Sequence, residues 1–447
     1  MNRQNIAVVG TGIAGLSAAW LLSQRHAVTV FERDGRLGGH SHTVDVAAPE
    51  GPCPVDTGFI VYNPPSYPNL VALFEHLDVP TAATQMTFSV SLDGGRYEYS
   101  GSGLFGLMGQ RRNVVSLRHW TMIADLLRFF RAARVLIERA PSSSMTLGAF
   151  VEREGFSKAF IDNHILPVGA AIWSAPPQQI LSFPALSFVR FFANHGLLKV
   201  RDRPAWRTVR GGSREYVRRL REAVSATFHV GTAVARITRR PGGVIIADSA
   251  GRQHRFDQVV IGAHADDALK LLTDADPLER RLLGAFGYAS NRVVLHTDPR
   301  LMPHRRRIWS SWNYLGEHGD GDRRVSATYW MNSLQPLATA RDYFVTLNPV
   351  QPIDPEHVHG EFGYRHPLFD QAAIDTQSEL WRLQGGRRTW FCGSYFGYGF
   401  HEDGLQSGLA VGEQLGGVRR PWRVADESGR IRLPVGERAI AFAEAAA

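Results

Sequence analysis

The chain has only two cysteines among its 447 residues, Cys53 and Cys392, and they lie far apart. Two distant cysteines provide neither a disulfide framework nor the paired spacing of a zinc site, so no structural metal is expected. No apolar run reaches the roughly 18 residues of a membrane span. The apolar N-terminus lacks the basic start of a signal peptide, and we therefore expect a cytoplasmic protein.

Lysine is nearly absent: Lys158, Lys199 and Lys270 are the only three, although lysine and arginine together number 50. The formal net charge of +8 favours anionic partners, either phospholipid headgroups or nucleic acid. No helix-turn-helix, zinc or RNA-binding signature is present, so nucleic acid is not expected as a partner. A content of 44% hydrophobic and 21% charged residues is typical of an ordinary globular protein.

A dinucleotide-binding fingerprint occupies the first forty residues. A strand predicted over 6–9 leads through the letters GTGIAG at 10–15 into a helix predicted over 13–24, and a second strand over 28–31 ends at Glu32. The letters of the motif recur at 101–106, where we expect neither a buried strand before them nor an acidic strand end after them. The second match is therefore predicted to be a loop.

The residues of the fingerprint have separate roles. Gly10 permits the tight turn, Gly12 lets the backbone approach a pyrophosphate, and Gly15 lets the helix pack on the sheet. The acidic residue that ends the second strand can accept hydrogen bonds from an adenosine ribose. The predicted dinucleotide contacts are therefore Gly10, Gly12, Ile13, Ala14, Gly15 and Glu32.

Two further segments identify the dinucleotide. Residues 32–40 read ERDGRLGGH, and the C-terminal region contains FCGS at 391–394 and EDGLQSGLA at 402–410. Both segments resemble the flavin amine oxidase and phytoene desaturase superfamily. The resemblance implies FAD, with the first segment along its pyrophosphate and the second facing the flavin through backbone N–H groups and a helix dipole. It assigns to the cofactor Arg33, Arg36, Gly38, Gly39, His40, Gly58, Val234, Gly393, Asp403, Gly404, Leu405 and Ser407.

The same resemblance implies the domain plan. We expect an α/β fold in which a Rossmann-type FAD-binding domain is interleaved with a mixed-sheet and helical substrate domain. Short strands near 233–235, 244–247 and 258–261 predict a β-meander. Cys392 precedes Gly393 in the dinucleotide fold, so we expect a buried thiol and noncovalent FAD. The FAD-binding domain is predicted over 1–60, 209–280 and 386–418, the substrate domain over 61–208 and 281–385, and a tail without an assigned role over 419–447.

Four segments narrow the resemblance: GAAIWS at 169–174, FFANHGLL at 191–198, TYWMN at 328–332 and FGYGFHEDG at 396–404. They are similar to a bacterial branch associated with methylated or cyclopropane fatty acyl chains, which includes the methylated fatty-acid desaturases of furan fatty acid synthesis. This branch implies flavin-dependent dehydrogenation of a methyl-branched acyl chain, on a phospholipid, with an acyl-chain methyltransferase as partner.

The candidate catalytic residues depend on the same comparison. Amine oxidases usually carry a lysine near the flavin, and Asn291 stands at or beside that position, which argues against routine amine oxidation. His401 stands where amine oxidases place an aromatic residue, and its ordinary pKa near 6.5 suits a general base. A role in structure or flavin contact is the alternative for His401. His195 and Tyr398 are the next candidates, although a histidine such as His195 is more often a core residue.

Aromatic and basic segments suggest how a lipid would be handled. A basic amphipathic helix predicted over 114–138, with Arg128, Arg131 and Arg134, has the composition of an interfacial helix, and Arg305–Arg307 could contact headgroups. The alternative to membrane contact is a helix that packs on its own domain and exposes its basic face to solvent. Ordinary core packing is the alternative for each candidate residue of the acyl tunnel wall. These candidates are Trp173, Phe183, Phe188, Phe191, Phe192 and Trp330.

Three functions fit these residues. The first is an FAD-dependent desaturase of a methyl-branched fatty acyl chain. The second is a flavin oxidase or desaturase of another apolar substrate, such as an amine or a carotenoid. The third is a catalytically silent FAD-binding partner of an acyl-chain methyltransferase.

Overall fold

The computed structural model of the chain describes residues 2–139, 144–173, 177–199, 202–317, 324–425 and 427–434. The strands are β1 (Asn5–Val9), β2 (Ala27–Phe31), β3 (Thr43–Ala48), β4 (Gly51–Asp56), β5 (Val61–Tyr62), β6 (Thr81–Thr84), β7 (Phe88–Leu92), β8 (Tyr97–Ser100), β9 (Trp206–Val209), β10 (Ala226–His229), β11 (Val234–Arg240), β12 (Gly243–Asp248), β13 (Gln253–Phe256), β14 (Gln258–Ile261), β15 (Gly287–His296), β16 (Trp312–Glu317), β17 (Arg324–Trp330), β18 (Phe344–Leu347), β19 (Val358–Leu368) and β20 (Thr389–Phe391). The α-helices are α1 (Ile13–Leu22), α2 (Pro68–His76), α3 (Leu104–Leu107), α4 (Leu117–Arg139), α5 (Leu147–Arg153), α6 (Lys158–Phe160), α7 (Leu166–Trp173), α8 (Pro177–Ser182), α9 (Ala185–Asn194), α10 (Arg214–Ala223), α11 (Ala265–Leu271), α12 (Pro277–Gly284), α13 (Met331–Leu334), α14 (Gln371–Gln377) and α15 (His401–Gly416).

A parallel sheet has the strand order β10-β2-β1-β14-β20, and each neighbouring pair in it is parallel. Its central strands are nearly continuous apolar runs, NIAVV in β1 and QVVI in β14, which is the pattern of a sheet covered by helices on both faces. The strands predicted over 6–9 and 28–31 are confirmed as β1 and β2, and α1 ends slightly earlier than predicted. The Rossmann-type α/β prediction is confirmed.

Helix α15 packs along α1 through glycines at positions 404, 408, 412 and 416. Residues four apart lie on the same face of a helix, so these glycines form one stripe. A methyl group added at Gly408 would lie 2.1 Å from the carbonyl oxygen of Ala14. The two helices are therefore too close to admit a side chain at this position, and they hold the two ends of the chain against one another.

A second large sheet has seven strands in the order β19-β15-β18-β17-β16-β7-β8, and helix α7 packs on its strand β16. It is antiparallel except where β16 pairs with β7. Smaller sheets contain β3-β4, β5-β9-β6 and β11-β12-β13. The parallel sheet takes its strands from residues 5–31, 226–261 and 389–391, and the domain boundaries remain a prediction.

Two local predictions were wrong. The meander contains β11, β12 and β13, whereas the segment 258–261 forms β14 of the parallel sheet, because its apolar run is buried on both faces. The second glycine motif at 101–106 does follow a buried strand, β8. That strand pairs antiparallel with β7, and α3 after it has only four residues. The motif therefore lacks the parallel strand and long helix of a dinucleotide site.

The cysteines and the tail also have defined places. Cys53 and Cys392 are free and buried, as predicted for Cys392. Burial raises the pKa of the Cys392 thiol to about 12. The indole of Trp422 stacks on Trp20 with ring centroids 5.6 Å apart and donates a hydrogen bond to Oδ1 of Asn69 at 3.1 Å. The segment after residue 418, for which no role is predicted, thus packs on α1 and α2. Within the described ranges, no helix is long and apolar enough to cross a bilayer.

Candidate active site

A cavity of about 610 Å³ lies at the carboxyl edge of the parallel sheet. Ligands of open α/β sheets bind outside the carboxyl ends of the strands, where loops leave the sheet. Residues from these loops line the cavity, and the first turns of α1 and α15 line it as well. The loop residues are Gly10 after β1, Glu32 after β2, Gly262 after β14 and Gly393 after β20.

Helix α1 begins at the cavity without a capping side chain. Ile13 and Ala14 of its first turn line the cavity, and a methyl group added at Gly12 would meet no atom within 4 Å. Uncapped N–H groups at the positive end of a helix form an anion site. The geometry therefore leaves a space beside Gly12 that fits a pyrophosphate.

The other close glycines hold the backbone together around this space. Gly10 has a φ of +96°, and a methyl group there would lie 2.6 Å from the carbonyl oxygen of Gly262. A methyl group at Gly15 would lie 2.1 Å from the carbonyl oxygen of Gly10, and one at Gly58 would lie 2.0 Å from that of His40. These positions determine the packing of the cavity wall, whereas Gly12 leaves room inside it.

The carboxylate of Glu32 is buried at the end of β2 and lines the cavity. Its Oε2 accepts hydrogen bonds from the backbone N–H of Thr11 at 2.9 Å and from the Thr11 hydroxyl, and its Oε1 accepts one from the N–H of Asp34 at 2.9 Å. A carboxylate has about four acceptor sites. Glu32 therefore fixes the glycine turn through Thr11 and keeps acceptor capacity for a ribose.

The charged side chains that line the cavity form one connected group. Arg33 lies 3.8 Å from Asp267, which also pairs with Lys270 and Arg365. The backbone at Thr232 lies beside this charged group, because its N–H donates a hydrogen bond to the carbonyl oxygen of Glu32 at 2.7 Å. Val234, two residues further along the chain, also lines the cavity. The charged lining residues are Glu32, Arg33, Asp34, Asp267, Lys270 and Arg365.

His40 projects into the cavity beside two residues of β19. Its ring is exposed to the cavity although protein surrounds it, and it lies edge-on to the rings of Tyr364 and His366, with centroids 4.9 Å and 5.1 Å away. Burial lowers the pKa of His366 to about 4 and holds the pKa of His40 well below its usual value, so both are neutral at pH 7. Gly39, the residue before His40, and Gly58 also line the cavity.

Some predicted cofactor residues lie behind the cavity wall and support it. Asp403 accepts a hydrogen bond from the N–H of Phe400 at 2.7 Å, and the Ser407 hydroxyl accepts one from the N–H of Gly393 at 2.9 Å. Arg36 donates to the carbonyl oxygen of Ser41 at 3.2 Å. Their side chains are thus used inside the protein. The predicted residues that are not among the lining residues are Gly15, Arg36, Gly38, Asp403, Leu405 and Ser407.

The part of the cavity away from the charged group is lined by aromatic and aliphatic side chains. Phe191 connects several of them. Its ring stacks on the rings of His195 and Phe400, with centroids 3.9 Å and 4.7 Å away, and its centroid lies 4.9 Å from that of Trp173. Of the six tunnel candidates, Trp173 and Phe191 line the cavity, and the other four are not among its lining residues, in keeping with the core-packing alternative. The apolar and aromatic lining residues include Phe59, Ile60, Val61, Tyr67, Ile172, Trp173, Phe191, Trp206, Trp312, Tyr329, Leu347, Tyr398 and Phe400, but not Phe183, Phe188, Phe192 or Trp330.

His401, the first residue of α15, is buried at the cavity wall. Its ring stacks on Phe59 with centroids 3.9 Å apart, and its Nε2 lies 2.7 Å from the hydroxyl of Tyr216 and 3.1 Å from that of Ser41. Burial lowers the pKa of His401 to about 3. The imidazole is therefore neutral at physiological pH and held in one orientation. Its role as a base remains a prediction.

His195 lies among the aromatic residues of the cavity wall. Its Nδ1 lies 3.0 Å from the carbonyl oxygen of Phe191, to which it donates, so Nε2 is the unprotonated nitrogen. Within the part of the chain that the structure describes, this buried Nε2 has no hydrogen-bond partner. Burial and, to a smaller extent, the charge of Arg430 lower the pKa of His195 to about 3.

The remaining catalytic candidates differ in position. Tyr398 lines the cavity, and burial raises its pKa. Asn291 is buried on β15 one layer behind the wall, and its Nδ2 lies 3.1 Å from Nδ1 of His366. Its Oδ1 accepts a hydrogen bond from Asn348 at 2.8 Å. Asn291 thus connects β15 to a cavity histidine and is not itself among the lining residues.

Sequence reasoning missed several residues of the site. Thr11 occupies a variable position of the motif, and Tyr364 and His366 follow the alternation of an ordinary strand, so no local pattern distinguishes them. Arg430 lies in the C-terminal segment, where it donates to the carbonyl oxygen of Ser66 and lies over the ring of Tyr67, 5.4 Å from its centroid. Tyr67 lines the cavity, so this segment supports the site.

We expect the protein to lose stability as the pH falls from about 7 toward 4. A buried neutral histidine takes up its proton in the unfolded chain near pH 6.5 but in the folded protein only near its lowered pKa, so acid favours unfolding. Burial raises the pKa of Asp56 to about 6 and also raises the pKa values of Glu402 and Asp403, and these carboxyl groups act in the opposite direction. The histidines whose pKa burial lowers to about 3 or 4 are His42, His164, His195, His296, His366 and His401. Thermal unfolding followed across this range with excess FAD present measures the effect, and a midpoint that rises toward acid would contradict it.

Residues 13–347 match the family model of flavin containing amine oxidoreductases. The chain belongs to this family. It is 26% identical over 367 residues, 77% of this chain and 70% of the relative, to a Mycobacterium tuberculosis protein provisionally named flavin-containing monoamine oxidase AofH. Its fold is similar to that of a CLA-producing fatty acid isomerase from P. acnes, with a TM-score of 0.65, 16% identity, and 92% and 98% of the two chains covered. A putrescine oxidase with redesigned cofactor binding gives a TM-score of 0.66 at 14% identity, covering 93% and 99%.

As a member of this family the protein is a flavin-containing oxidoreductase, and its cofactor is FAD. The cavity fits this group on its own geometry. Gly12 and the uncapped start of α1 suit the pyrophosphate, and Glu32 suits the ribose. Val234 lines the cavity at the end that contains Glu32. The start of α15 at His401 and Gly404 offers the second helix N-terminus for the flavin.

Proposed function

We propose that this flavoprotein dehydrogenates an apolar substrate, a methyl-branched fatty acyl chain carried on a phospholipid. The resemblance of four segments to a branch that modifies methylated acyl chains supports the proposal. An acyl-chain methyltransferase is the class of enzyme that would supply such a substrate, and we propose it as the functional partner.

The distribution of charge in the cavity carries this proposal. The charged lining residues belong to the single group around Asp267 and Glu32, and the remaining lining side chains are neutral. An acyl chain needs apolar contact and no counter-ion, whereas an ionised group moved out of water needs a partner. The aromatic part of the cavity therefore suits a hydrocarbon chain.

Amines are the competing substrate class, since the M. tuberculosis relative bears the name of a monoamine oxidase. An aromatic surface can attract a cation, but no carboxylate lines the aromatic part of the cavity among the described residues. Asn291 also stands at or beside the place of the lysine that amine oxidases usually carry. Both observations favour the acyl chain. The solved fatty acid isomerase shows that a similar fold occurs in a protein named for fatty acids.

Desaturation removes two hydrogens from adjacent carbons: one leaves with an electron pair, for which bound FAD supplies the acceptor, and the other leaves as a proton. The protein must orient the chain, exclude water and provide a proton acceptor. Phe191, Trp173 and Phe400 form the apolar contact surface. His401 and His195, both neutral at pH 7, are the nitrogen bases at this end of the cavity.

The direct test is anaerobic mixing of the FAD-loaded protein with phospholipids that carry methyl-branched or unbranched acyl chains, and with simple primary amines. We expect the branched lipid to bleach the oxidised flavin, and mass spectrometry to show that the lipid has lost two hydrogens. Bleaching by amines but not by lipids would assign the protein to amine oxidation. Lipid binding without bleaching would support the silent partner of a methyltransferase instead.

A further inference from the structure

An exposed apolar patch lies between β8 and the first turn of α4, outside the cavity. Most monomeric proteins expose large apolar side chains singly, so a cluster of them marks a contact surface. The six members of the patch are separated by few residues in the chain. They are Leu104 (74% exposed), Phe105 (97%), Val114 (51%), Val115 (85%), Leu117 (82%) and Trp120 (46%).

Buried amides hold this patch in place. The side chain of Gln110 accepts a hydrogen bond from the N–H of Glu98 at 3.0 Å and donates one to the carbonyl oxygen of Arg96 at 3.0 Å. Asn113 donates to the carbonyl oxygen of Glu98 at 2.9 Å. These hydrogen bonds fix the segment on β8. The buried side chains of Gln110 and Asn113 take the inward positions, and the apolar side chains of the patch face outward.

The charge of the patch has one sign. Arg111 and Arg112 are exposed within it, Arg118 is exposed and lies 4.0 Å from Asp162 outside this segment, and the sequence contains no acidic residue between Glu98 and Asp125. Exposed arginines beside aromatic and aliphatic side chains are the composition of a surface that lies in a membrane interface. Tryptophan is also enriched at the headgroup level of bilayers.

We infer that the patch docks on the surface of an anionic phospholipid bilayer, with Phe105, Val115 and Leu117 entering the headgroup region and the arginines contacting lipid phosphates. A second copy of this chain fits less well, because the like-charged Arg111 and Arg112 of both copies would meet. The inference concerns the surface alone and does not rest on the proposed acyl substrate.

This surface differs from the basic helix face predicted from the sequence. Arg128 pairs with Asp125 at 2.5 Å, and Arg134 donates to the carbonyl oxygen of Leu198 at 2.9 Å. Arg305 pairs with the buried carboxylate of Glu98 at 2.5 Å. Arg128, Arg134 and Arg305 thus have partners within the protein, and a headgroup contact by the basic helix face or by Arg305–Arg307 remains a prediction.

The first test is co-sedimentation of the FAD-loaded protein with vesicles of phosphatidylcholine alone or mixed with phosphatidylglycerol. We expect binding to the mixed vesicles that weakens with salt. The double variant Arg111→Glu, Arg112→Glu should bind roughly 30-fold more weakly, the scale expected for two arginines at an anionic surface. The matched control Arg240→Glu, Arg255→Glu changes exposed arginines of the β11-β12-β13 sheet by the same charge and should bind as the parent does.

The second test places a reporter in the patch. Both native cysteines are buried, so Phe105→Cys can be labelled selectively with an environment-sensitive dye. Its emission should shift to the blue on mixed vesicles, whereas a dye on Val230→Cys, at an exposed valine outside the patch, should not shift. Phe105→Ser with Val115→Ser should weaken binding roughly 10-fold or more, and Val230→Ser should not.

Three results would overturn the inference. One is the absence of binding to mixed vesicles at low salt, and another is equal loss of binding in the patch variants and their matched controls. The third is concentration-dependent self-association that Phe105→Ser abolishes, which would assign the patch to a second copy of the chain.

Discussion

Gly12→Val is expected to give a folded protein that lacks the yellow colour of FAD. The Cβ of the added side chain meets no protein atom within 4 Å, so the substitution does not force the backbone at Gly12 to move. It occupies the space beside the uncapped start of α1 that a pyrophosphate needs. We expect FAD affinity to fall roughly 100-fold or more, the scale of two lost hydrogen bonds to a charged group. Flavin absorbance and circular dichroism of the purified protein measure the two properties separately.

Neighbouring glycines supply the controls for this prediction. Gly35→Val adds a side chain whose Cβ also meets no atom within 4 Å, but at a position that does not line the cavity, and it should keep FAD. Gly15→Ala places a methyl group 2.1 Å from a carbonyl oxygen and should impair folding itself. Full flavin occupancy in Gly12→Val would show that the pyrophosphate lies elsewhere.

His401→Ala should retain FAD but reduce it slowly. Gly12, the start of α1 and Glu32 remain in place, so the cofactor keeps its contacts there. Without the imidazole, anaerobic reduction of the flavin by the acyl substrate should slow roughly 100-fold, the usual scale for a positioned general base. Stopped-flow measurement of flavin bleaching, with dithionite to show that the flavin remains reducible, gives the result.

Two further measurements separate proton transfer from positioning. Tyr216→Phe removes the hydroxyl 2.7 Å from Nε2 but keeps the imidazole, so it should slow reduction less than His401→Ala does. Because burial lowers the pKa of His401 to about 3, the parent rate should show no titration of this group near pH 6.5. Reduction of His401→Ala at the parent rate would transfer the role to His195 or Tyr398.

Asn291→Lys tests the departure from the amine oxidase pattern. A lysine at this position should speed reoxidation of the flavin by oxygen without creating activity on simple amines. Its side chain would have to enter a buried place next to His366, so the melting temperature of the variant must be measured beside its kinetics. Activity on amines in this variant would indicate that the cavity already accepts them.

The nucleotide end of the cavity could be predicted from the sequence because its signals are local. The strand, the glycine turn, the helix and Glu32 follow one another within 28 residues, and the backbone needs of the turn restrict the residue types. The place of Cys392 directly before Gly393 likewise predicted the burial of its thiol correctly. Such patterns reflect covalent neighbours and do not require knowledge of the tertiary contacts.

The rest of the site depends on residues that are distant in the chain. Asp403 has the sequence setting of a flavin contact, yet its carboxylate caps its own helix and lies 3.4 Å from Arg430. Ser407 is similar, because the loop at Gly393 uses its hydroxyl. Whether such a polar side chain faces a ligand or the protein depends on partners that only the folded chain brings near.

The close packing of α15 on α1 has a consequence for the order of folding. The first helix of the nucleotide site receives its partner from residues 401–416, so α15 must leave the ribosome, long after α1, before this pair can form. Contacts between such distant segments require closure of a very long loop and slow the folding of a chain. Until then the apolar surface of α1 has no final partner, and we expect newly made chains to depend on chaperones and to acquire FAD only after α15 has been synthesised.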